Sequence, residues 1–206
     1  MMKDLINTII RFLNNLRRPA KKQNTRRLQQ RGETAASFII REATEADIPA
    51  LSVLHVKTWS ETYWTIKDPP APHAREWQWR KAFSEENDGS WFCYVIENKN
   101  KQLVGFAKGK KYAHSDLPDF KGELNKIYLL REYQCLGLGR KLLCHVARHF
   151  ISMHIHSMVL FGTARNPSCT FHEAMGGKKL FAENGQFHGG YGWQDLQKLL
   201  SICNTE

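Results

Sequence analysis

Nowhere in the 206 residues does an apolar run approach the roughly 18 consecutive residues that a membrane-spanning helix needs, so no segment is expected to cross a bilayer. Cysteine is sparse. Cys93, Cys135, Cys144, Cys169 and Cys203 are odd in number, scattered, and never form C-x-x-C. That usage predicts free thiols in a reducing cytoplasm rather than a disulfide framework. H-E-x-x-H is missing: His145 and His149 stand four apart without the glutamate, and His154 and His156 are isolated, so no metal is expected. No Ser, His and Asp set has a recognisable nucleophile spacing. Two common phosphate signatures also fail. G-x-x-x-x-G-K-[ST] is absent, and a dinucleotide fingerprint would need glycine where Leu142 stands.

What is present in excess is positive charge, and it is unevenly placed. Of the net +10, residues 1–35 hold +7, from nine Lys/Arg against Asp4 and Glu33, which leaves +3 for residues 36–206. The basic character therefore belongs to the N-terminal extension, and the folded domain gives no reason to expect a nucleic-acid partner. Within the extension, Leu5, Ile9, Phe12, Leu13 and Leu16 share one helical face over residues 3–18, ended by Pro19. This helix reads as packing on the domain or on a second copy of it, as an interfacial membrane or partner helix, or as a targeting peptide without a small-residue cleavage site. The polar, basic run Lys21–Arg31 reads as a linker. Deleting residues 1–35 is expected to leave catalysis largely intact, with residues 36–206 forming one domain.

The stretch that organises this domain runs from Glu123 to Leu143. Leu124 to Leu130 reads as a strand, Gln134, Gly137 and Gly139 as a turn, and Leu142, Leu143, Val146, Ala147 and Phe150 as the buried face of a helix. Glycines at a strand-to-helix turn let backbone approach a ligand closely. The first N–H groups of a helix lack intrahelical partners and sit at the positive end of its dipole, which suits a phosphate or pyrophosphate. Arg140 adds charge in the first turn.

Written out, the turn is R-x-x-Q-x-x-G-x-G, from Arg131 through Gln134 and Gly137 to Gly139. This closely resembles the acetyl-CoA signature of the GNAT family of N-acetyltransferases. Ile40-Arg-Glu-Ala-Thr-Glu-Ala-Asp-Ile-Pro-Ala-Leu51 resembles the opening of many GNAT domains, and the likeness extends over about residues 37–195. It implies an α+β, α/β-like fold with a mixed central sheet of six to seven strands flanked by helices, here with an N-terminal helical extension. Strands are expected at 38–41, 91–96, 103–107, 124–130, 158–161, 179–182 and 190–193. Thr44 and Asp47 form a capping box before the first domain helix. Short helices are expected over 168–175 and 196–202.

By the same resemblance, acetyl-CoA is the cosubstrate. Gln134, Cys135, Leu136, Gly137, Leu138, Gly139 and Arg140 would hold its diphosphate, and Ile127, Tyr128, Leu129 and Asn166 its pantetheine arm. Glu123 stands where many members carry a catalytic base. At about 3.3 Å per residue its Cα lies about 13 Å from that of Ile127, a gap that a bridging water or a kink in the strand would close. His172 stands where the family has a tyrosine, and is the candidate acid because imidazole donates near neutral pH; Tyr128 and Tyr191 are alternatives. Trp59, Tyr63 and Trp64 would line the acceptor pocket, where aromatic faces attract an ammonium, and Glu61 would add an opposite charge. Direct transfer to a primary amine of a small molecule or a protein is the expected reaction. A non-catalytic CoA-binding module, tethered or dimerised by its N-terminal helix, is the alternative. The acceptor is not legible from the sequence.

Overall fold

The computed structural model describes residues 20–63, 68, 70–85 and 88–203. The amphipathic segment 3–18 and Trp64 lie outside them. Residues 20–30 form a helix, α1, which corrects the linker reading. Only Asn24 and Leu28 on it are buried, one turn apart, so the segment carries no extended apolar stripe to announce a helix.

Chain order is then β1 (Ile39–Glu42), α2 (Ile48–Thr62), α3 (Pro72–Glu85), β2 (Trp91–Glu97), β3 (Leu103–Lys111) and β4 (Gly122–Leu129). After these come α4 (Leu138–Ser152), β5 (Met158–Leu160), α5 (Cys169–Ala174), β6 (Lys178–Phe181), β7 (Phe187–Trp193) and α6 (Leu196–Cys203). The seven strands form one sheet in the order β1-β2-β3-β4-β5-β7-β6. All neighbours are antiparallel except β4 and β5, which α4 joins as a crossover. The expected strand–turn–helix and the Thr44–Asp47 capping box are both present. Arg41 binds that box, donating at 2.7 Å to each Asp47 oxygen, and reaches Glu97 on β2.

Two layers of helix cover the sheet. On one face α4 packs through Leu142, Leu143, Val146 and Phe150, all fully buried, with the Phe150 ring against Phe92 and Gly122. Truncating such a ring to alanine costs about 3–5 kcal/mol. On the other face, His55 of α2 and Trp79 of α3 meet Phe106 of β3. A cysteine pair links α4 to α6: Cys144 and Cys203 form a disulfide with their Cα atoms 6.1 Å apart. The expectation of five free thiols is corrected to three: Cys93, buried; Cys169, half-buried; and Cys135, exposed. Among the described residues no helix is long and apolar enough to cross a membrane.

Candidate functional site

Three pieces of backbone meet at the start of α4. Gly137 precedes the helix with φ +83°, a conformation that costs an L side chain about 1–2 kcal/mol, and a Cβ there would meet open space. The helical ladder begins with the Lys141 N–H on the Gly137 carbonyl, so the amides of Leu138, Gly139 and Arg140 point out of the helix end. Cys135 also has positive φ, +61°, which curls the loop back on itself. Gln134 donates to the Leu129 carbonyl at 2.9 Å, tying the loop to the end of β4. Arg131 is fastened to α2: its N–H donates to the Glu61 carboxylate and its guanidinium to the Glu61 carbonyl, both at 2.7 Å. One oxygen of Glu61, expected to face an amine pocket, is thus engaged with the loop.

Asn24 of α1 was missed by sequence reasoning altogether. Its amide donates at 3.0 Å to the Arg131 carbonyl and at 2.9 Å to the Gln134 carbonyl, across more than a hundred residues. Arg31, one residue past α1, adds a 2.8 Å bond to the Tyr133 hydroxyl and an ion pair to Glu132. A polar residue in a basic run carries no local sign of such a role.

The second feature is the open edge of β4. It pairs with β5 only at Gly122 and Glu123, and beyond Glu123 that edge has no strand partner through Leu129. Its other edge is paired with β3, and here the register slips. Lys110 and Lys108, two apart on β3 and hence on one face, oppose Glu123 and Lys126, three apart on β4. The extra residue is Asn125, and the bulge turns Lys126 to the face that already carries Glu123. Gly122 packs on α4, so the face shared by Glu123 and Lys126 is that of α2 and α3. Glu123 is buried, pairs with Lys110 at 3.1 Å and accepts from the Asn125 amide at 2.6 Å. The bulge thus interrupts the regular strand between Glu123 and Ile127.

Third, the C-terminal end of α2 meets β4 and the loop before α5. Tyr63 lies 5.2 Å from Trp59 with the rings tilted, and it accepts from the Asn166 amide at 3.3 Å. The Asn166 oxygen is used locally, accepting from the Ser168 N–H and hydroxyl. Burial, and then Tyr63, push the Tyr128 phenol well above its ordinary range, so it keeps its proton. His172 behaves otherwise. It is 3 % exposed, ringed by Phe171, Tyr191 and Trp193, and bonded through Nε2 to Ser168 of its own helical turn. Burial lowers it from 6.5 to about 4, so at neutral pH the ring is the neutral imidazole rather than the imidazolium, enclosed and poorly suited to act as an acid. Tyr191 is fully buried and donates to Glu173.

Sequence reasoning also missed a groove of about 400 Å³ between α3 and the β3–β4 bulge, reached by His55, Trp79, Arg75, Lys108 and Lys126. Its cations are dispersed over three elements whose summed charge hides them. Among the described residues no group of three or more His, Cys, Asp or Glu is arranged to hold a metal ion.

Residues 53–176, more than half of the chain, match the model of a family described as acetyltransferase (GNAT). The uncharacterized N-acetyltransferase YuaI of Bacillus subtilis (strain 168) is 28% identical over 172 residues, covering 80% of this chain and 98% of that protein. Among solved structures, the PaiA N-acetyltransferase from Thermoplasma acidophilum in complex with coenzyme A superposes with a TM-score of 0.58 at 21% identity, over 76% of this chain and 98% of that one. YncA of Salmonella typhimurium, solved with acetyl-CoA, gives 0.57 at 19% identity, over 78% and 94%. At these identities the structures speak for the fold alone. The expected mixed sheet of six to seven strands is present with seven, in a fold that matches these structures.

Proposed function

The chain belongs to the GNAT family of acetyltransferases and is an acetyl-CoA-dependent N-acetyltransferase, and from that premise we propose that it moves acetyl directly to a primary amine with both substrates bound at once. One observation carries this reading: the unpaired edge of β4 leads straight to the amide-rich start of α4 behind Gly137. A diphosphate suits the helix end, and an extended pantetheine arm suits a strand edge with free N–H and C=O groups. Ile127 and Leu129 would hold that arm by backbone, and the amides from Leu138 to Arg140 the diphosphate, with Asn166 near its reactive end.

Acetyl-CoA supplies an acyl thioester there; the protein's own groups supply position and proton transfer. An ammonium has no lone pair, so the amine must first lose a proton, and Glu123 is the base proposed to take it, directly or through water. The new N–C bond then forms as the C–S bond breaks, with backbone donors of the β4 edge facing the oxygen that gains charge. The leaving thiolate, with an ordinary pKa of ~8.5, needs only a modest acid. With His172 neutral and enclosed, the Tyr63 hydroxyl beside Asn166 is the group proposed for that role. Calorimetry with CoA, followed by thiol release from acetyl-CoA over an amine panel, tests the reading. Saturable CoA binding and amine-dependent release are expected. A folded protein that takes up no CoA sinks it.

A further inference from the structure

The groove beside the β4 bulge has an uneven chemistry. Arg75 and Lys81 enter it from α3, Lys108 and Lys110 from β3, and Lys126 from β4; among the described residues its lining holds no carboxylate, and Glu123 pairs with Lys110 at its margin. Arg75 and Lys126 repel one another across it, which a bound counter-charge would relieve. Burial, then Lys108 and Arg75, lower the Lys126 ammonium to about 8. Three nitrogens on lining residues have no hydrogen-bond partner: His55 Nδ1, Arg75 Nε and Trp79 Nε1. His55 and Trp79 are 2 % and 3 % exposed, so water is poorly placed to satisfy them. A volume of about 400 Å³ is in the range of small-ligand pockets.

Position connects this groove to the chemistry. Asn125 and Lys126 line it and lie two and three residues past Glu123, where the pairing with β5 ends. Asn125 and Lys110, both in the lining, are the two partners of Glu123. Through these two residues the groove borders Glu123.

We propose that this groove is the acceptor's anchor and that it binds an oxyanion, carboxylate or phosphate, borne by the amine. The substrates are then small amines carrying an acidic group, and polyamines are disfavoured by like charge. This rests on the acetyltransferase reading, and it adds what that reading leaves open. Charge-assisted bonds to Arg75 and Lys126 are the strong kind, and Arg75 has the planar fork that suits an oxyanion.

The test uses matched pairs on the full chain: O-phosphoethanolamine against ethanolamine, β-alanine against β-alaninamide, and spermidine. CoA release should give at least about tenfold higher kcat/KM for the acidic member of one pair, and which pair responds separates phosphate from carboxylate. Arg75→Gln and Lys126→Met should raise KM for that acidic amine and shrink the gap to its neutral partner, with calorimetric CoA affinity unchanged. CoA binding together with equal rates within both pairs, or with spermidine as the best acceptor, overturns the inference and leaves the acetyltransferase reading standing. Absence of CoA binding overturns the acetyltransferase reading instead. The groove is then decided by tryptophan fluorescence: quenching by O-phosphoethanolamine or β-alanine in the wild type but not in Arg75→Gln supports it, and no response in the wild type overturns it.

Discussion

Replacing Asn24 by alanine should weaken CoA binding from a position outside the strand–turn–helix motif. The side chain is 4 % exposed and holds two carbonyls of the phosphate loop. They are not equally dependent on it. The Arg131 carbonyl also accepts from the Gln134 N–H, whereas among the described residues no other donor is seen on the Gln134 carbonyl. One lost bond of about 0.5–1.5 kcal/mol plus one orphaned acceptor of about 1–3 kcal/mol gives roughly 2–4 kcal/mol, trimmed toward 2 because the bonds are only partly buried. If about 1.4 kcal/mol of that returns as the cost of ordering the loop around a diphosphate, the Kd for CoA rises about tenfold. Asn24→Asp keeps the shape but can only accept when ionised, so it should do at least as much damage. Calorimetric titration with CoA, beside a urea denaturation curve for each variant, reads both effects. A lower denaturation midpoint with Kd within about twofold of wild type would make Asn24 a structural peg and refute the coupling. The same contact reverses the expectation that residues 1–35 can be removed freely: deletion should cost at least as much CoA affinity as the alanine.

Three further outcomes follow from named groups. Glu123→Gln keeps the shape and the Asn125 contact but cannot take a proton; kcat should fall about 100-fold or more with CoA affinity little changed, and retention of most kcat/KM across the pH range would remove Glu123 as the base. His172 is held neutral in the folded chain, near 4 rather than 6.5, so its contribution is fully present above about pH 6.5 and is lost as pH falls toward 4. That is roughly 3 kcal/mol of acid sensitivity, which His172→Phe should flatten in urea titrations between pH 7 and 4; an equally steep curve would contradict it. Reducing the Cys144–Cys203 bridge, whose ends lie 59 residues apart, should lower stability by about 2–4 kcal/mol, and a denaturation midpoint indifferent to dithiothreitol would count against the bridge.

The parts of the fold that sequence reading recovered are those encoded locally. Thr44 and Asp47 are three apart, and the α4 face repeats with helical period. The missed parts are encoded by contacts far apart in the chain. Asn24 finds its acceptors more than a hundred residues away, and Cys144 meets Cys203 only because α6 folds back on α4. Histidine at 172 reads as a neutral-pH acid until its surrounding rings are known, and then it does not. The groove's cations at 75, 81, 108, 110 and 126 share no window, and a net charge of +3 for residues 36–206 averages them away.

The bulge at Asn125 has a consequence for how such chains diverge. Because side chains alternate along a strand and the bulge takes up one residue, deleting Asn125 would leave the lysine after it opposite Lys108 on the same wall and only make the pairing regular. The wall thus tolerates a change of strand length at this one position, where a change anywhere else along the strand would turn every following side chain over. Two proteins that differ here by the bulged residue alone would show the same lysine to whatever they acetylate.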